Sequence, residues 1–245
     1  MPRYPALVLA LLLLAPAAGR AQGDAAPEVR AQLTAKRSAV LSAEIAGQVA
    51  ELPLREGDAF QEGQKLVQLD CGIHRARLAR AQAEETAARK SWEVKSKLER
   101  LNSIGALELE TAASQRAVAE AEVAMAREVV ERCVVTAPFP GRIAALEVKR
   151  FQFIDEGRPL MEIIDASELE VEMLVPSRWL AWMKPGHGFE LMIEETGRSY
   201  PAKVVRLGAR IDPVSQSVKV FAAIDGRFPE LLPGMSGRAV LAPPA

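Results

Sequence analysis

Two cysteines and two histidines are the side chains in this 245-residue sequence with the clearest potential for redox, nucleophilic or metal chemistry. Cys71, His74 and Cys133 offer three metal ligands, but a closed zinc site normally has four and the sequence shows no fourth. No Asp or His stands at a recognisable catalytic spacing from Cys71, and His187, between two glycines, is expected in an exposed loop. We therefore expect no metal, no cofactor and no catalytic residue. The two cysteines are then expected either to form a disulfide or to remain as a pair of buried thiols.

The segment between the two cysteines has the composition of two long helices. Glycine and proline are absent from residues 73–104 and 106–137, where the strong helix formers Ala, Glu, Arg, Lys and Leu dominate. Gly105 separates the two stretches, so the turn is short and the helices are antiparallel. Residues 71–133 are predicted to form an α-helical hairpin, whose first helix, from His74 to Leu101, is about 42 Å long.

Small and apolar residues recur at spacings of three and four along both stretches, which is typical of the contact seam between packed helices. The predicted seam residues are Ala76, Ala79, Ala83, Ala87, Ser91, Val94, Leu98 and Leu101 in the first helix, and Leu107, Thr111, Ser114, Val118, Ala121, Met125 and Val129 in the second. Small residues on a seam allow close approach. The sequence therefore predicts a slim hairpin that projects beyond the domain carrying it.

An internal repeat flanks this hairpin. Residues 46–69 match residues 140–163 at a constant offset of 94 positions, without a gap. The identical pairs are Gly47 and Gly141, Ala50 and Ala144, Leu52 and Leu146, Glu62 and Glu156, Gly63 and Gly157, and Leu66 and Leu160. Each copy has short strands between glycine-centred turns and is too small to bury a core alone. Two facing copies, residues 40–70 and 134–165, are predicted to form a split β-sandwich.

The last third of the chain has the pattern of a small β-barrel. Candidate strands with alternating apolar residues recur through residues 166–245, separated by turn signals such as Pro185-Gly186 and Asp225-Gly226. Residues 26–39 are predicted to return and complete this barrel. A short helix with Ser177 as its N-cap is expected at residues 177–183. The fold class is therefore α+β, mainly β.

The first residues have the features of an export signal. A positive residue, Arg3, precedes a ten-residue apolar run that ends at Pro16, and this run is too short for a bilayer core of ~30 Å. Residues 1–21 are predicted to be a cleaved signal peptide; an uncleaved anchor is the alternative. Its removal takes away two arginines and changes the net charge from −1 to −3, which excludes a basic nucleic-acid surface.

The hairpin model decides between the uses of the cysteines. Cys71 lies where the chain leaves the first sandwich half, and Cys133 lies where the second helix returns, so the two stand side by side at the hairpin base. An exported protein folds in an oxidising compartment. We predict a disulfide between Cys71 and Cys133; two buried free thiols are the alternative.

The order of these motifs resembles that of a known family. The motifs are Ala46-Gly47-Gln48-Val49, Arg55-Glu56-Gly57-Asp58, Glu62-Gly63-Gln64-Lys65-Leu66, Thr136-Ala137-Pro138-Phe139-Pro140-Gly141, Asp212-Pro213 and Leu232-Pro233-Gly234-Met235. In this order around a helical hairpin they resemble the membrane fusion proteins of the HlyD type, which are periplasmic adaptors of tripartite efflux and secretion systems.

The resemblance implies a function without catalysis. Such adaptors have a lipoyl-like sandwich, associate with an inner-membrane transporter, often a resistance-nodulation-division (RND) pump, and meet an outer-membrane channel at their hairpin tips. The resemblance also implies a ring of identical subunits, commonly six, held at the inner membrane through its partners. The sequence ends soon after the barrel region, so the membrane-proximal domain of many members is not expected.

The hairpin tip departs from the family pattern, which is Arg, then Leu four positions later, then Ser seven beyond. Here Leu101 matches, whereas Lys97 and Glu108 occupy the outer places. Lys97, Leu101, Ile104 and Glu108 are the candidate residues for contact with a channel or another partner.

Two other functions remain as alternatives. Lipoyl and biotinyl carrier domains share the two-half sandwich but carry a lysine on the turn between halves. Here helices replace that turn, and the nearest lysine after Asp70 is Lys90, inside the first helix. The second alternative is a periplasmic binding or scaffold module that works without a pump.

Overall fold

The computed structural model describes residues 28–241, which form twelve strands, two long helices and one 3₁₀ helix. The strands before the helices are β1 (Glu28–Ser42), β2 (Gly47–Glu51), β3 (Ala59–Phe60) and β4 (Lys65–Leu69), and the helices are α1 (Gly72–Arg100) and α2 (Ala106–Glu131). The later strands are β5 (Val134–Thr136), β6 (Gly141–Leu146), β7 (Phe153–Ile154), β8 (Pro159–Pro176), β9 (Gly188–Ile193), β10 (Arg198–Asp212), β11 (Ser217–Ile224) and β12 (Ser236–Val240). The predicted α+β, mainly β class is confirmed. The predicted signal peptide lies outside the described residues.

Six antiparallel strands close into a barrel. They follow the order β1, β12, β9, β10, β11, β8, and β8 pairs back with β1. Along β9 every second residue, Phe189, Leu191 and Ile193, is buried, because successive side chains of a strand point to opposite faces. The barrel core therefore draws one face from each strand.

The 3₁₀ helix differs from its prediction. It spans Ser177–Ala181 and does not reach Met183, and Pro176 rather than Ser177 occupies its N-cap position. The start of the helix differs because the Ser177 N–H donates to the carbonyl of Gln216 at 2.8 Å. This bond holds Ser177 against the neighbouring turn of the barrel.

The two repeat copies form the split sandwich. One sheet has the order β5, β4, β2, β7, and the facing layer consists of β3, β6 and one end of β8. Equivalent bonds link the copies: the Gly63 N–H donates to Ala137 O at 2.8 Å, and the Gly157 N–H donates to Ala43 O at 2.7 Å. The sequence offset of 94 converts each bond into the other, so a pseudo-twofold axis relates the two copies of the repeat. Gly63 and Gly157 have φ of 74° and 79°, which explains glycine at both places.

Two long strands connect sandwich and barrel. β1 and β8 pair along most of their length, and each gives one end to each hydrophobic core. In β8, for example, Met161 and Ile163 belong to the sandwich core, whereas Val171 and Met173 belong to the barrel core. The core boundary thus falls inside continuous strands. The domain limits given above stay predictions.

The helical insertion is slightly longer than predicted at its start. α1 begins at Gly72, directly after Cys71, and ends at Arg100; α2 begins at Ala106, directly after Gly105. Neither helix, nor any other in residues 28–241, has the length and apolar character that a bilayer crossing requires.

Candidate functional site

Cys71 and Cys133 form a disulfide at the hairpin base, with Cα atoms 6.2 Å apart. Cys71 stands between β4 and α1, Cys133 between α2 and β5, and both are buried. The Leu69 N–H and the Gln68 side-chain amide both donate to the carbonyl of Cys133, at 2.8 Å and 3.3 Å. The disulfide therefore joins the two points at which the chain leaves and re-enters the sandwich.

This disulfide also bears on the other chemistry considered for the cysteines. Both sulfurs that a metal would need are engaged, and residues 28–241 contain no group of three or more His, Cys, Asp or Glu placed to hold an ion. His74 lies at the start of α1 and lines a groove together with Met125 of α2.

His187 is half-buried, in contrast to the exposed position expected for it. Its ring meets that of Trp182 edge-on, with the centroids 5.2 Å apart. The expectation is wrong because the loop folds back against the residues that follow the 3₁₀ helix.

The residues of the contact seam between α1 and α2 are all buried or half-buried. They are Leu78, Ala81, Glu85, Ala88, Trp92, Lys95 and Glu99 in α1, and Leu109, Ala112, Arg116, Ala119, Val123, Ala126 and Val130 in α2. The spacings alternate between three and four, as in an antiparallel coiled coil. Ala112 and Ala81 are the most buried, and the Arg116 guanidinium lies over the Trp92 ring at 4.7 Å.

The predicted seam is therefore wrong in its phase. All its residues except Val129 are exposed, and Val118 and Val94 expose 64% and 56% of their surface. The alanines of the seam let the two backbones approach each other. The Trp92 ring and the aliphatic stem of Arg116 cover the rest of the seam.

Six large apolar side chains of the hairpin are exposed: Val94, Leu98, Leu101, Leu107, Val118 and Met125. Val94 and Leu98 stand one residue before seam positions of α1, and Val118 and Met125 one residue before seam positions of α2, about 100° round each helix. Since the helices are antiparallel and both right-handed, the same rotation brings both pairs to the same side of the hairpin, and these four residues are its exposed apolar face. Several large apolar side chains exposed on one side of an element are typical of an interaction site.

The four candidate contact residues all lie at the hairpin tip. Lys97 is in the last turn of α1, Leu101 is its C-cap, Ile104 is in the connecting turn and Glu108 is in the first turn of α2. Lys95 Nζ lies 3.7 Å from Glu108 Oε1, so the charge of Glu108 is already paired across the hairpin. Leu107, predicted as a seam residue, is instead 78% exposed beside them and adds an apolar side chain to the tip.

Asp165 is the one buried charged residue in residues 28–241, and it sits on β8 between the sandwich and barrel cores. Arg37 on β1 donates from Nε and Nη2 to Asp165 Oδ2, at 2.9 Å and 2.5 Å, and also lies over the Phe139 ring of the sandwich. Ser167 donates from its N–H and hydroxyl to Oδ1. Burial by itself would raise the pKa of Asp165, but the hydrogen bonds from Ser167 and Arg37 together hold it below its ordinary value.

We expect Asp165→Asn to lower the free energy of unfolding by about 1–3 kcal/mol at neutral pH, because a charge-assisted buried network loses its charge. A lowered folded-state pKa gives stability that is complete above the unfolded pKa, near 4, and lost as the pH falls through the folded value. The difference between wild type and variant should therefore shrink below about pH 4. Urea unfolding at several pH values measures this; a difference that is constant with pH would contradict the assignment.

Two pseudo-symmetric turns of the sandwich differ in one further respect. The Gly57 N–H donates to Ile143 O at 2.9 Å, and at the equivalent place the Phe151 N–H donates to Val49 O at 2.8 Å. Gly57 has φ of 86° and Phe151 has φ of 69°. A bulky side chain in this left-handed region costs about 1–2 kcal/mol, whereas glycine adopts it freely. The second turn thus carries a strained aromatic residue that the first turn does without.

Comparison with known proteins places this architecture in a family. A family model described as the RND MFP (membrane fusion protein) barrel-sandwich hybrid domain matches residues 37–178, more than half of the chain. The nodulation protein NolF of Rhizobium meliloti is 29% identical over 229 residues, which cover 86% of this chain and 62% of NolF. The chain therefore spans less than two thirds of that relative's length.

Two solved structures share the fold at low sequence identity. A MacA-MexA chimeric protein with the Pseudomonas aeruginosa MexA α-hairpin domain aligns with a TM-score of 0.78 and 18% identity, over 87% of this chain and 79% of that one. The membrane fusion protein Spr0693 of Streptococcus pneumoniae R6 aligns with a TM-score of 0.74 and 16% identity, over 89% of this chain and 100% of that one. With its split sandwich, inserted hairpin and family match, the chain belongs to the RND membrane fusion proteins, a family of non-catalytic periplasmic adaptors.

Proposed function

We propose that this protein links an inner-membrane transporter of the RND pump type to an outer-membrane channel in an efflux system. The observation that carries the proposal is the hairpin. α1 has 29 residues and is therefore about 44 Å long, and its base is cross-linked where it joins the sandwich. A stiff rod anchored at one end can reach a partner that the sandwich and barrel cannot, and it performs no chemistry.

The exposed apolar face supports assembly of several copies into a ring. Single exposed apolar residues are ordinary, but Val94, Leu98, Val118 and Met125 on the same side of one hairpin form a stripe that water solvates poorly. Packing against the hairpin of a neighbouring copy covers this stripe along its length. The ring then encloses a path between the two membranes.

The tip supports an apolar rather than an ionic contact with the channel. Leu101 and Leu107 are 71% and 78% exposed, whereas Glu108 is held by Lys95. We propose that Leu101, Ile104 and Leu107 pack into the channel end, with Lys97 at the rim of the contact.

A photo-crosslinker at Ile104 tests the bridging role in living cells. We expect the products, identified by mass spectrometry, to contain an outer-membrane channel protein. A crosslinker at Gln82, which is also exposed on α1 but near the hairpin base, serves as the control and should not capture the channel. Capture from Ile104 of copies of this protein alone, or of unrelated periplasmic proteins, would favour the alternative, a scaffold module that works without a pump.

A further inference from the structure

Two segments form the end of the barrel that lies farthest from the hairpin. β1 runs from the barrel to the hairpin base, where Glu44, just beyond the strand, has Oε2 3.6 Å from Arg132 Nε at the end of α2. β8 runs antiparallel to β1 and ends in the barrel. Residues 177–188, which follow β8, and residues 209–216, which lead into β11 beside the end of β8, therefore lie at the end of the molecule opposite to the hairpin base.

These two segments, named here the distal surface, are built together on the barrel core. The Ser177 N–H donates to the carbonyl of Gln216 at 2.8 Å and so joins one segment to the other. Trp179 and Met183 are buried in the barrel core beneath them. Trp182 is half-buried, and its ring centroid lies 5.5 Å from that of Trp179. The distal surface is therefore a supported part of the fold.

An apolar turn projects from the distal surface. Every residue from 209 to 216 is exposed, so this end of the β10–β11 hairpin stands clear of the barrel on both faces. Ile211 is 47% exposed and Val214, at the turn, is 92% exposed. The Asp212 carboxylate accepts from the N–H groups of Val214 and Ser215, at 3.0 Å and 2.8 Å, and holds the turn in this shape. The turn thus presents two aliphatic side chains to the surroundings.

The rim of the distal surface is cationic. Residues 177–188 contain no acid, and Arg178 and Lys184 in that segment are exposed, as is Arg210 beside the projecting turn. Within residues 28–241 none of these three side chains forms an ion pair. Asp212 is the one acid of the two segments. Three cations and one acid give the distal surface a net charge of +2, in a chain whose net charge is −1.

This combination fits the interface of an anionic bilayer. Tryptophan prefers the level of the lipid headgroups, and Lys and Arg are attracted to anionic headgroups, while a small apolar projection can enter the interface. We propose that the distal surface binds directly to anionic lipid headgroups of the inner membrane, with Ile211 and Val214 entering the interface. This inference rests on the proposed bridging function, which points the hairpin tip away from the inner membrane. It adds a lipid contact that needs no transporter.

Flotation of the purified protein with lipid vesicles tests the proposal. We expect the wild type to float with phosphatidylglycerol vesicles at low salt, to be released by high salt, and not to float with phosphatidylcholine vesicles. Each Lys or Arg near an anionic surface strengthens binding about five-fold, so Arg178→Gln/Lys184→Gln/Arg210→Gln should bind phosphatidylglycerol about 100-fold more weakly.

The matched control is Arg77→Gln/Lys90→Gln/Arg127→Gln. It removes three exposed cations from the hairpin and changes the net charge by the same amount, so it should bind vesicles like the wild type. An environment-sensitive dye on Val214→Cys should shift to the blue with phosphatidylglycerol vesicles, whereas the same dye on Ile104→Cys at the hairpin tip should not.

Three results would each overturn the proposal: no flotation of the wild type, equal flotation of the two triple variants, or a dye shift at position 104 instead of 214. Absence of flotation together with capture of a transporter by a photo-crosslinker at Val214 in cells would assign the distal surface to a protein partner instead. Failure here leaves channel capture from Ile104 untouched, and failure of that capture leaves lipid binding untouched.

Discussion

Replacement of both bridging cysteines, Cys71→Ala together with Cys133→Ala, is expected to lower the free energy of unfolding by about 4 kcal/mol. The estimate follows from the loop of 62 residues that the disulfide closes, which restricts the unfolded chain in the loop-entropy model. For a chain of this size it corresponds to a fall in melting temperature of roughly 8–16 °C. Alanine avoids placing a hydroxyl in a buried position.

The fold explains why this cross-link matters. β4 and β5 pair with each other, yet the whole hairpin separates them in sequence. Without the disulfide, the hydrogen bonds between β4 and β5 have to hold the two hairpin ends together at the sandwich. With it, Cys71 and Cys133 keep them adjacent even when the helices open.

Differential scanning calorimetry in oxidising buffer measures the effect. Wild-type protein treated with a reductant provides the control, since it should melt like the double variant. Equal melting of the oxidised wild type and the variant, or two free thiols found by mass spectrometry in protein isolated from the periplasm, would contradict a stabilising disulfide.

Introduction of a charge into the hairpin seam, Ala112→Asp, is expected to cost about 3 kcal/mol or more. Ala112 is 1% exposed where α1 and α2 approach closely, so a carboxylate there lacks room and is removed from water. The hairpin should splay, with the loss of helical circular dichroism and of protection from hydrogen exchange in both helices, while the barrel keeps its protection.

Val118→Asp is the matched control for this variant. It places the same charge in the same helix, but Val118 is 64% exposed, and valine has nearly the helix propensity of aspartate whereas alanine has a higher one. Its effect on stability should stay within about 0.5 kcal/mol plus the helix-propensity cost. Equal destabilisation by the two variants would show that the seam has been assigned to the wrong face.

The difference between Ala112 and Val118 also shows which features of the hairpin can be predicted from the sequence and which cannot. The absence of glycine and proline around Gly105 is enough to predict two antiparallel helices, because helix propensity is a local property. The phase of the seam is not local. Two stripes with the same three-and-four spacing run along each helix, and both contain alanines and larger apolar residues. Only the close approach of the second helix decides which stripe is buried.

The repeat was equally accessible, since identical glycines and apolar residues at a constant offset mark two copies of one structural unit. By the same offset of 94, Phe151 is the equivalent of Gly57. That both residues share a left-handed backbone, and that Phe151 is therefore strained, follows from the strand bonds to Val49 and Ile143, which only the assembled sandwich makes.

The burial of Asp165 was decided by the tertiary structure alone. Nothing in its sequence neighbourhood separates it from the exposed acids nearby, and its partner Arg37 lies 128 positions away. The two meet because β1 and β8 pair in a register that passes from one core to the other.

The sequence by itself determined the parts of this protein that depend on local propensity and on repetition: the helical hairpin, the two sandwich halves, the strands of the barrel and the family they resemble. The tertiary structure decided what depends on residues far apart in the chain: the face on which the hairpin packs, the closure of the barrel by β1 and β8, the buried charge at their crossing and the exposed aromatic turn. The physical reason is that burial and charge pairing are properties of neighbours in space, and a chain acquires those neighbours only by folding.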